Sequence, residues 1–74
     1  MHQGHLFNTL YHHFKSEKLK AISTLTIYFD NAVAVGDHSK IIDDMTELVK
    51  QAADAESAIE ILKNEFPNYD EGNF

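Results

Sequence analysis

The sequence lacks cysteine entirely and contains only one proline and three glycines in 74 residues. The absence of cysteine excludes disulfides, thiolate zinc sites and thiol redox chemistry, and it fits a reducing compartment such as the cytoplasm. A chain of this length forms a single domain, residues 1–74, and buries only about 60% of its unfolded surface. Because disulfides are excluded, we expect association with further copies to supply additional stability.

Long apolar runs are also absent. No run exceeds four apolar residues, whereas a membrane-spanning helix needs about 20. The 12 acidic residues outnumber the 6 lysines and arginines and give a formal net charge of -6. We therefore expect a cytoplasmic protein without a membrane span, and the charge disfavours direct binding to the phosphate backbone of nucleic acids.

The clearest positive signal is a heptad repeat in the second half of the chain. The repeat consists of Ile41, Met45, Leu48, Ala52, Ala55, Ile59, Leu62 and Phe66. Spacings that alternate between four and three residues predict a long helix, over residues 39–66, whose seam packs along another helix. Ser39 or Asp37 is expected to cap its start, and Pro67 is expected to end it.

The first half of the chain admits two interpretations. A helical seam would consist of Phe7, Tyr11, Phe14, Lys18, Ala21 or Ile22, Leu25 and Tyr28. Alternatively, the alternation in Thr24–Phe29 indicates a strand that pairs with Ala32–Val35 in a β-hairpin. Antiparallel helices would place Tyr28 opposite Ile41 and set large residues against small ones, as close packing requires. This complementarity favours the helical interpretation.

The predicted fold is therefore all-α, an antiparallel two-helix hairpin of coiled-coil type with helices over 6–31 and 39–66. A connector over 32–38 joins the helices, and an acidic tail over 67–74 is expected to fray. Several large apolar residues remain outside the seam, and we expect oligomerisation into a helical bundle to cover them. The candidate interface residues are Ile42, Val49, Ile61, Ile27 and Leu10, together with Leu6 and Phe29.

The connector contains the residue types that end one helix and begin the next. Asp30 or Asn31 would end the first helix, Gly36 would supply a positive φ, and Asp37 or Ser39 would cap the second helix. A functional alternative is a partner or anion site at the start of the second helix, with His38 as a donor. The adjacent Asp37 carboxylate argues against an anion.

Candidate residues for chemistry are sparse. The five histidines include the neighbours His12 and His13, which point about 100° apart on a helix and cannot chelate one metal ion as a pair. The acidic residues of the second half are dispersed along one helix, and the sequence offers no nucleophile with a plausible base. We therefore expect no enzymatic activity, no metal and no cofactor.

The segment from Asn31 to His38 resembles the pattern N-P-V-G-x-G-E-H of short helical proteins encoded by tailed bacteriophages, a family without an assigned activity. A Leu-x-x-Tyr-Phe-like segment before the motif corresponds to Leu25–Phe29, and a final Leu-x-x-x-Phe corresponds to Leu62–Phe66. The resemblance spans residues 17–66, with Ala32, Ala34 and Asp37 in place of proline, glycine and glutamate. It implies a phage origin, a location in the infected host's cytoplasm and a helical hairpin.

Three functions remain open at this point. The first is an accessory protein that self-associates and binds a host protein, for takeover or against a host defence. The second is an oligomer that sequesters a small molecule or nucleotide, with Lys15, Lys18, Lys20, Tyr11 or the histidines as contacts. The third is an acidic mimic of DNA, which needs carboxylates spaced like phosphates along one surface.

Overall fold

The computed structural model describes residues 3–31 and 38–70. Helix α1 spans Gln3–Asn31, helix α2 spans His38–Glu65, and a short 3-10 helix spans Pro67–Tyr69. No strand occurs within these two described ranges. The predicted all-α antiparallel hairpin is confirmed, and the alternative in which Thr24–Phe29 forms a strand is wrong.

The threonines show how a segment rich in β-branched residues is accommodated in α1. Thr24 Oγ1 donates a hydrogen bond to the Lys20 carbonyl, and Thr26 Oγ1 donates one to the Ile22 carbonyl, both at 2.9 Å. A threonine hydroxyl in a helix can bond the carbonyl four residues earlier, which satisfies the hydroxyl without breaking the backbone ladder. The propensity for a strand is therefore overridden by packing along the seam.

The core of the hairpin follows the two predicted seams. The buried side chains are Phe7, Tyr11, Ala21, Ile41, Ala55 and Ile59. On α1 the seam uses Ala21, which is 1% exposed, rather than Ile22, which is 41% exposed. At the end distant from the connector, Phe7, Tyr11 and Ile59 form one cluster against which Phe14 and Leu62 pack.

Contacts between the helices reach further along α2 than the simple pairing predicts. Lys18 was expected opposite Ala52, but its Nζ lies 2.8 Å from Glu56 Oε1. Helical side chains tilt toward the N-terminus of their own helix. In an antiparallel pair the Lys18 side chain therefore leans toward the C-terminal end of α2, and Glu56 leans back toward it.

Residues 67–70 are more ordered than predicted, whereas residues 71–74 of the predicted frayed tail lie outside the described residues. Rather than fraying from Pro67 onward, Pro67–Tyr69 forms a 3-10 turn in which the Tyr69 and Asp70 amides donate to the Phe66 and Pro67 carbonyls, at 3.2 and 3.1 Å. This turn contacts α1, which begins at Gln3 rather than at residue 6. Gly4 is buried in the first turn of α1.

The hairpin is a rod of 51 × 18 × 17 Å with a radius of gyration of 16.1 Å, whereas a compact chain of this length has about 11 Å. Its accessible surface is 5583 Å², against about 4,600 Å² for a compact monomer of this mass. Two helices side by side therefore leave roughly 1,000 Å² of additional surface in contact with solvent.

The close approach of the helices at Ala55 generates a stability prediction. Ala55 is 4% exposed, and Ala55→Leu should lower the free energy of unfolding by about 1–3 kcal/mol because the added carbons have no space. The exposed Ala53→Leu is the matched control and should change it by less than about 0.5 kcal/mol. Denaturant unfolding followed by circular dichroism measures both, and equal effects would contradict the packing.

Candidate interaction surfaces

One side of the hairpin is formed by two rows of residues that flank the seam. Residues seven apart complete about two helical turns and lie on the same face of a helix. We call this side the groove face. Its rows are Asn8, Lys15, Ile22 and Phe29 on α1, and Ile42, Val49, Glu56 and Lys63 on α2. Along both rows the residues change from apolar near the connector to polar near the chain ends.

The apolar half of the groove face is an open groove of about 650 Å³. Leu25 and Phe29 of α1 and Ile42, Met45 and Val49 of α2 line it. Phe29 is 71% exposed and Ile42 is 61% exposed, which is unusual for large apolar side chains so close together. Contiguous exposed apolar surface is typical of interaction sites, so this groove is a candidate interaction surface.

The polar half of the groove face is a cleft of about 330 Å³ in which lysines surround Tyr11. Lys15 Nζ donates a hydrogen bond to Tyr11 Oη at 3.3 Å. The ammonium groups of Lys15 and Lys63 lie 5.5 and 5.6 Å from the centre of the Tyr11 ring. Both distances fit cation–π interactions, so the cleft brings cationic groups of both helices to one aromatic ring.

The same cleft holds the ion pair that joins the two helices. Lys18 Nζ donates to Glu56 Oε1, and this hydrogen bond together with the lysine charge lowers the pKa of Glu56 below its ordinary value of 4.5. Because the pKa of the folded state is lowered, the pair stabilises the fold above pH 4.5 and its contribution is lost as the pH falls through that region.

The opposite side of the seam carries a second apolar groove, at the end of the rod distant from the connector. Leu6, Leu10, Phe66 and Tyr69 line this terminal groove of about 240 Å³. The Phe66 and Tyr69 rings contact each other with centroids 6.4 Å apart. The ordered 3-10 turn therefore completes the terminal groove, which was not predicted because the tail was expected to fray.

On this opposite side, near the connector, Tyr28 Oη donates a hydrogen bond to Asp44 Oδ2 at 3.1 Å. The hydrogen bond, followed by the charge of Asp44, raises the pKa of Tyr28 above its ordinary value of 10.0. The interaction therefore stabilises the fold below pH 10 and is lost as Tyr28 ionises at higher pH. It joins the helices where the seam is only partly buried.

The structure divides the predicted interface residues among different surfaces. Ile42 and Val49 lie in the groove face, and Leu10 lies in the terminal groove. Ile27 and Ile61 line neither groove, although they are 62% and 55% exposed. Ile61 is twelve residues beyond Val49, a rotation of about 120° around the α2 axis, so the two side chains cannot share one flat interface.

The connector residues are only partly covered by the described ranges. Asn31 ends α1, where its Nδ2 donates to the Ile27 carbonyl at 2.8 Å. Gly36 and Asp37 lie outside the described residues, and so do the predicted positive φ and the predicted cap at Asp37; Ser39, the alternative cap, lies inside α2. His38 is the first residue of α2 and Ser39 the second, one residue earlier than the predicted start.

The candidate ligands for a metal ion are not brought together. Among the described residues, no group of three or more histidine, aspartate or glutamate side chains is placed to hold a metal ion. His13 instead lies 3.5 Å from Glu17, one turn along the same exposed helix face. Lys20, predicted as a ligand contact with Lys15 and Lys18, lies outside the cleft around Tyr11.

The fold is an all-α antiparallel helical hairpin, and its described residues form the apolar half of the groove face, the terminal groove and the lysine-lined cleft around Tyr11. Comparisons of the chain with protein-family models, with curated proteins and with solved structures find no match. Neither helix in the described part of the chain is long and apolar enough to cross a membrane.

The ion pair in the cleft gives a prediction for Glu56. Replacing Lys18 by methionine removes both the hydrogen bond and the charge, so the pKa of Glu56 should rise toward its ordinary value of 4.5. A carboxyl titration by NMR measures this shift. Lys20→Met, which removes an equal charge outside the cleft, is the control. If both variants gave the pKa of the unaltered protein, Lys18 would not be the partner of Glu56 in solution.

Proposed function

We propose that this chain is a non-catalytic interaction protein that self-associates through its exposed helix faces and binds another protein. One observation carries the proposal: apolar side chains are concentrated outside the core. Phe29, Ile42 and Val49 are all more than half exposed and adjoin one groove. Water contact at such a surface is unfavourable, and removing it from water contributes about 25 cal/mol per Å² of apolar area, before the entropic cost of association is subtracted.

The weak core supports self-association in particular. Among the described residues, the large side chains that are more than nine-tenths buried are only Phe7, Tyr11, Ile41 and Ile59. A small domain whose core is this limited usually requires disulfides, metal or oligomerisation, and the chain contains no cysteine. A second copy is always present at the concentration of the protein itself, so it can cover apolar surface as soon as the chain folds.

The second part of the proposal is a protein partner. The terminal groove is separate from the groove face, and its aromatic side chains Phe66 and Tyr69 are residue types favoured in protein interfaces. The net charge of -6 favours a basic partner through electrostatic steering. The resemblance of Asn31–His38 to phage proteins points to a host protein as that partner.

Self-association can be tested at Val49. Val49→Asp should dissociate the assembly and lower its melting temperature together, because a carboxylate would be buried in the apolar groove. Ile61→Asp is the matched control, since Ile61 is 55% exposed and Val49 is 54% exposed, but Ile61 does not line the groove. Light scattering after gel filtration measures the molar mass.

The outcome separates three possibilities. A mass near 8.4 kDa for the unaltered protein at micromolar concentration would refute self-association. Dissociation by Ile61→Asp but not by Val49→Asp would place the interface elsewhere on α2. Loss of association in Val49→Asp alone, with retained helicity, supports the groove.

Sequestration of a small anionic molecule is the alternative that a specific observation favours. Lys15 and Lys63 approach the Tyr11 ring from both helices in the lysine-lined cleft, and such groups suit a phosphate attached to an aromatic base. A nucleotide should then raise the melting temperature, because a ligand that binds only the folded state stabilises it. Lys63→Met should abolish the shift and Lys20→Met should preserve it. An unchanged melting temperature at millimolar nucleotide rejects the alternative.

A further inference from the structure

We propose that the groove face is a homodimer interface in which two hairpins pack with their connectors at the same end, each α1 against the α2 of the other copy. This inference rests on the self-association proposed above and deepens it by naming the surface and the geometry. The resulting four-helix bundle would place antiparallel neighbours side by side around its circumference.

At each height along the rod, the two rows of the groove face carry residues of matching character. Phe29 and Ile42 line the same groove near the connector, and Lys15 and Glu56 line the same cleft further away. Ile22 lies midway between Lys15 and Phe29, and Val49 lies midway between Ile42 and Glu56. At the same height along the rod, the apolar residues of the α1 row therefore lie beside apolar residues of the α2 row, and Lys15 lies beside Glu56.

The symmetry axis of the dimer determines which rows of the two copies meet. A two-fold axis parallel to the helices keeps every residue at its height and sets the α1 row of one copy against the α2 row of the other. Phe29 would then meet Ile42, Ile22 would meet Val49, and Lys15 would meet Glu56. Each contact occurs twice, as an isologous interface requires. Apolar surface is buried against apolar surface, and opposite charges are juxtaposed.

The other axis that sets the two faces together runs across the helices within the interface. It reverses the heights and sets each row against itself. Ile42 would meet Lys63, Val49 would meet Glu56, and on α1 Ile22 would meet Lys15. These contacts set charged groups of one copy against apolar side chains of the other, which desolvates the charges without adding a charged partner across the interface and is costly. The sequence of the two rows therefore selects connectors at the same end.

The excess surface of the hairpin is comparable with the area that a stable dimer buries. The hairpin exposes 5583 Å², roughly 1,000 Å² more than a compact monomer of its mass. A standard protein interface buries about 800 Å² on each partner. Covering one face of each copy would therefore bury an area of the same order as the excess surface.

The proposed geometry is tested by exchanging charges between copies. Lys15→Glu sets a glutamate against Glu56, and Glu56→Lys sets a lysine against Lys15, so each variant alone should dimerise about tenfold more weakly than the unaltered chain. An equimolar mixture should regain the original affinity, because each heterodimer contains two opposite-charge pairs. Lys20→Glu, with the same net charge as Lys15→Glu but outside the groove face, should leave the affinity unchanged.

Mixing separates contacts between copies from contacts within one chain. Glu56→Lys also breaks the ion pair with Lys18, but that internal loss is equal before and after mixing. Analytical ultracentrifugation of each variant and of the mixture gives the dissociation constants. Recovery on mixing supports the interface. An unaltered chain that dimerises, with no recovery on mixing, overturns the geometry and leaves self-association standing. A monomeric unaltered chain overturns both.

A cross-linking experiment keeps the test decisive if a charge variant fails to fold. Since the chain contains no cysteine, a Phe29→Cys chain can be mixed with an Ile42→Cys chain and oxidised. A disulfide needs Cα atoms within about 7 Å, so a mixed-chain disulfide should form in the proposed dimer. A mixture of an Ile42→Cys chain with a Lys63→Cys chain should form a mixed-chain disulfide only in the reversed arrangement. Cross-linking of that pair alone would overturn the proposal.

Discussion

The whole structure depends on the single seam between two antiparallel helices. Each helix can bury only the stripe that faces its neighbour, so the core is a line of side chains rather than a volume. Alanines at Ala21 and Ala55, exposed by 1% and 4%, let the helices approach closely in the middle. Bulkier residues such as Phe7 and Ile59 close the end distant from the connector. Everything outside this line must be solvated or covered by another molecule.

The sequence predicted the seam because heptad spacing directly reflects the geometry of paired helices. It predicted the class of fold and most of the buried residues, and it left Ala21 and Ile22 as alternatives that only packing could separate. It did not predict the ordered turn at Pro67–Tyr69, because that turn depends on a tertiary contact with the start of α1. Local sequence contains no direct signal for such a contact.

The candidate surfaces were less predictable than the fold. Exposed apolar residues can be identified by their absence from the seam, but their grouping depends on the angle of each residue around its helix. Ile61 and Val49 are both apolar residues of α2 outside the seam, so residue type alone does not distinguish them, yet only Val49 of the two adjoins the groove. Their heptad positions do distinguish them, because Val49 belongs to the row beside the seam that faces the groove and Ile61 does not. Residues spaced seven apart beside the seam, rather than the seam residues alone, indicate which surface a further layer of helices could pack against.

Charge and apolarity act together on the groove face. An apolar patch alone would allow a second copy to bind in either direction, because hydrophobic burial is non-directional. In the dimer that we propose, charged residues in the same rows would remove that freedom, since Lys15 and Glu56 are favourable against each other and unfavourable against Ile22 and Val49. The apolar half would then provide the free energy of association, and the charged half would determine the orientation. A rod with one seam can in this way specify a four-helix assembly with very few residues.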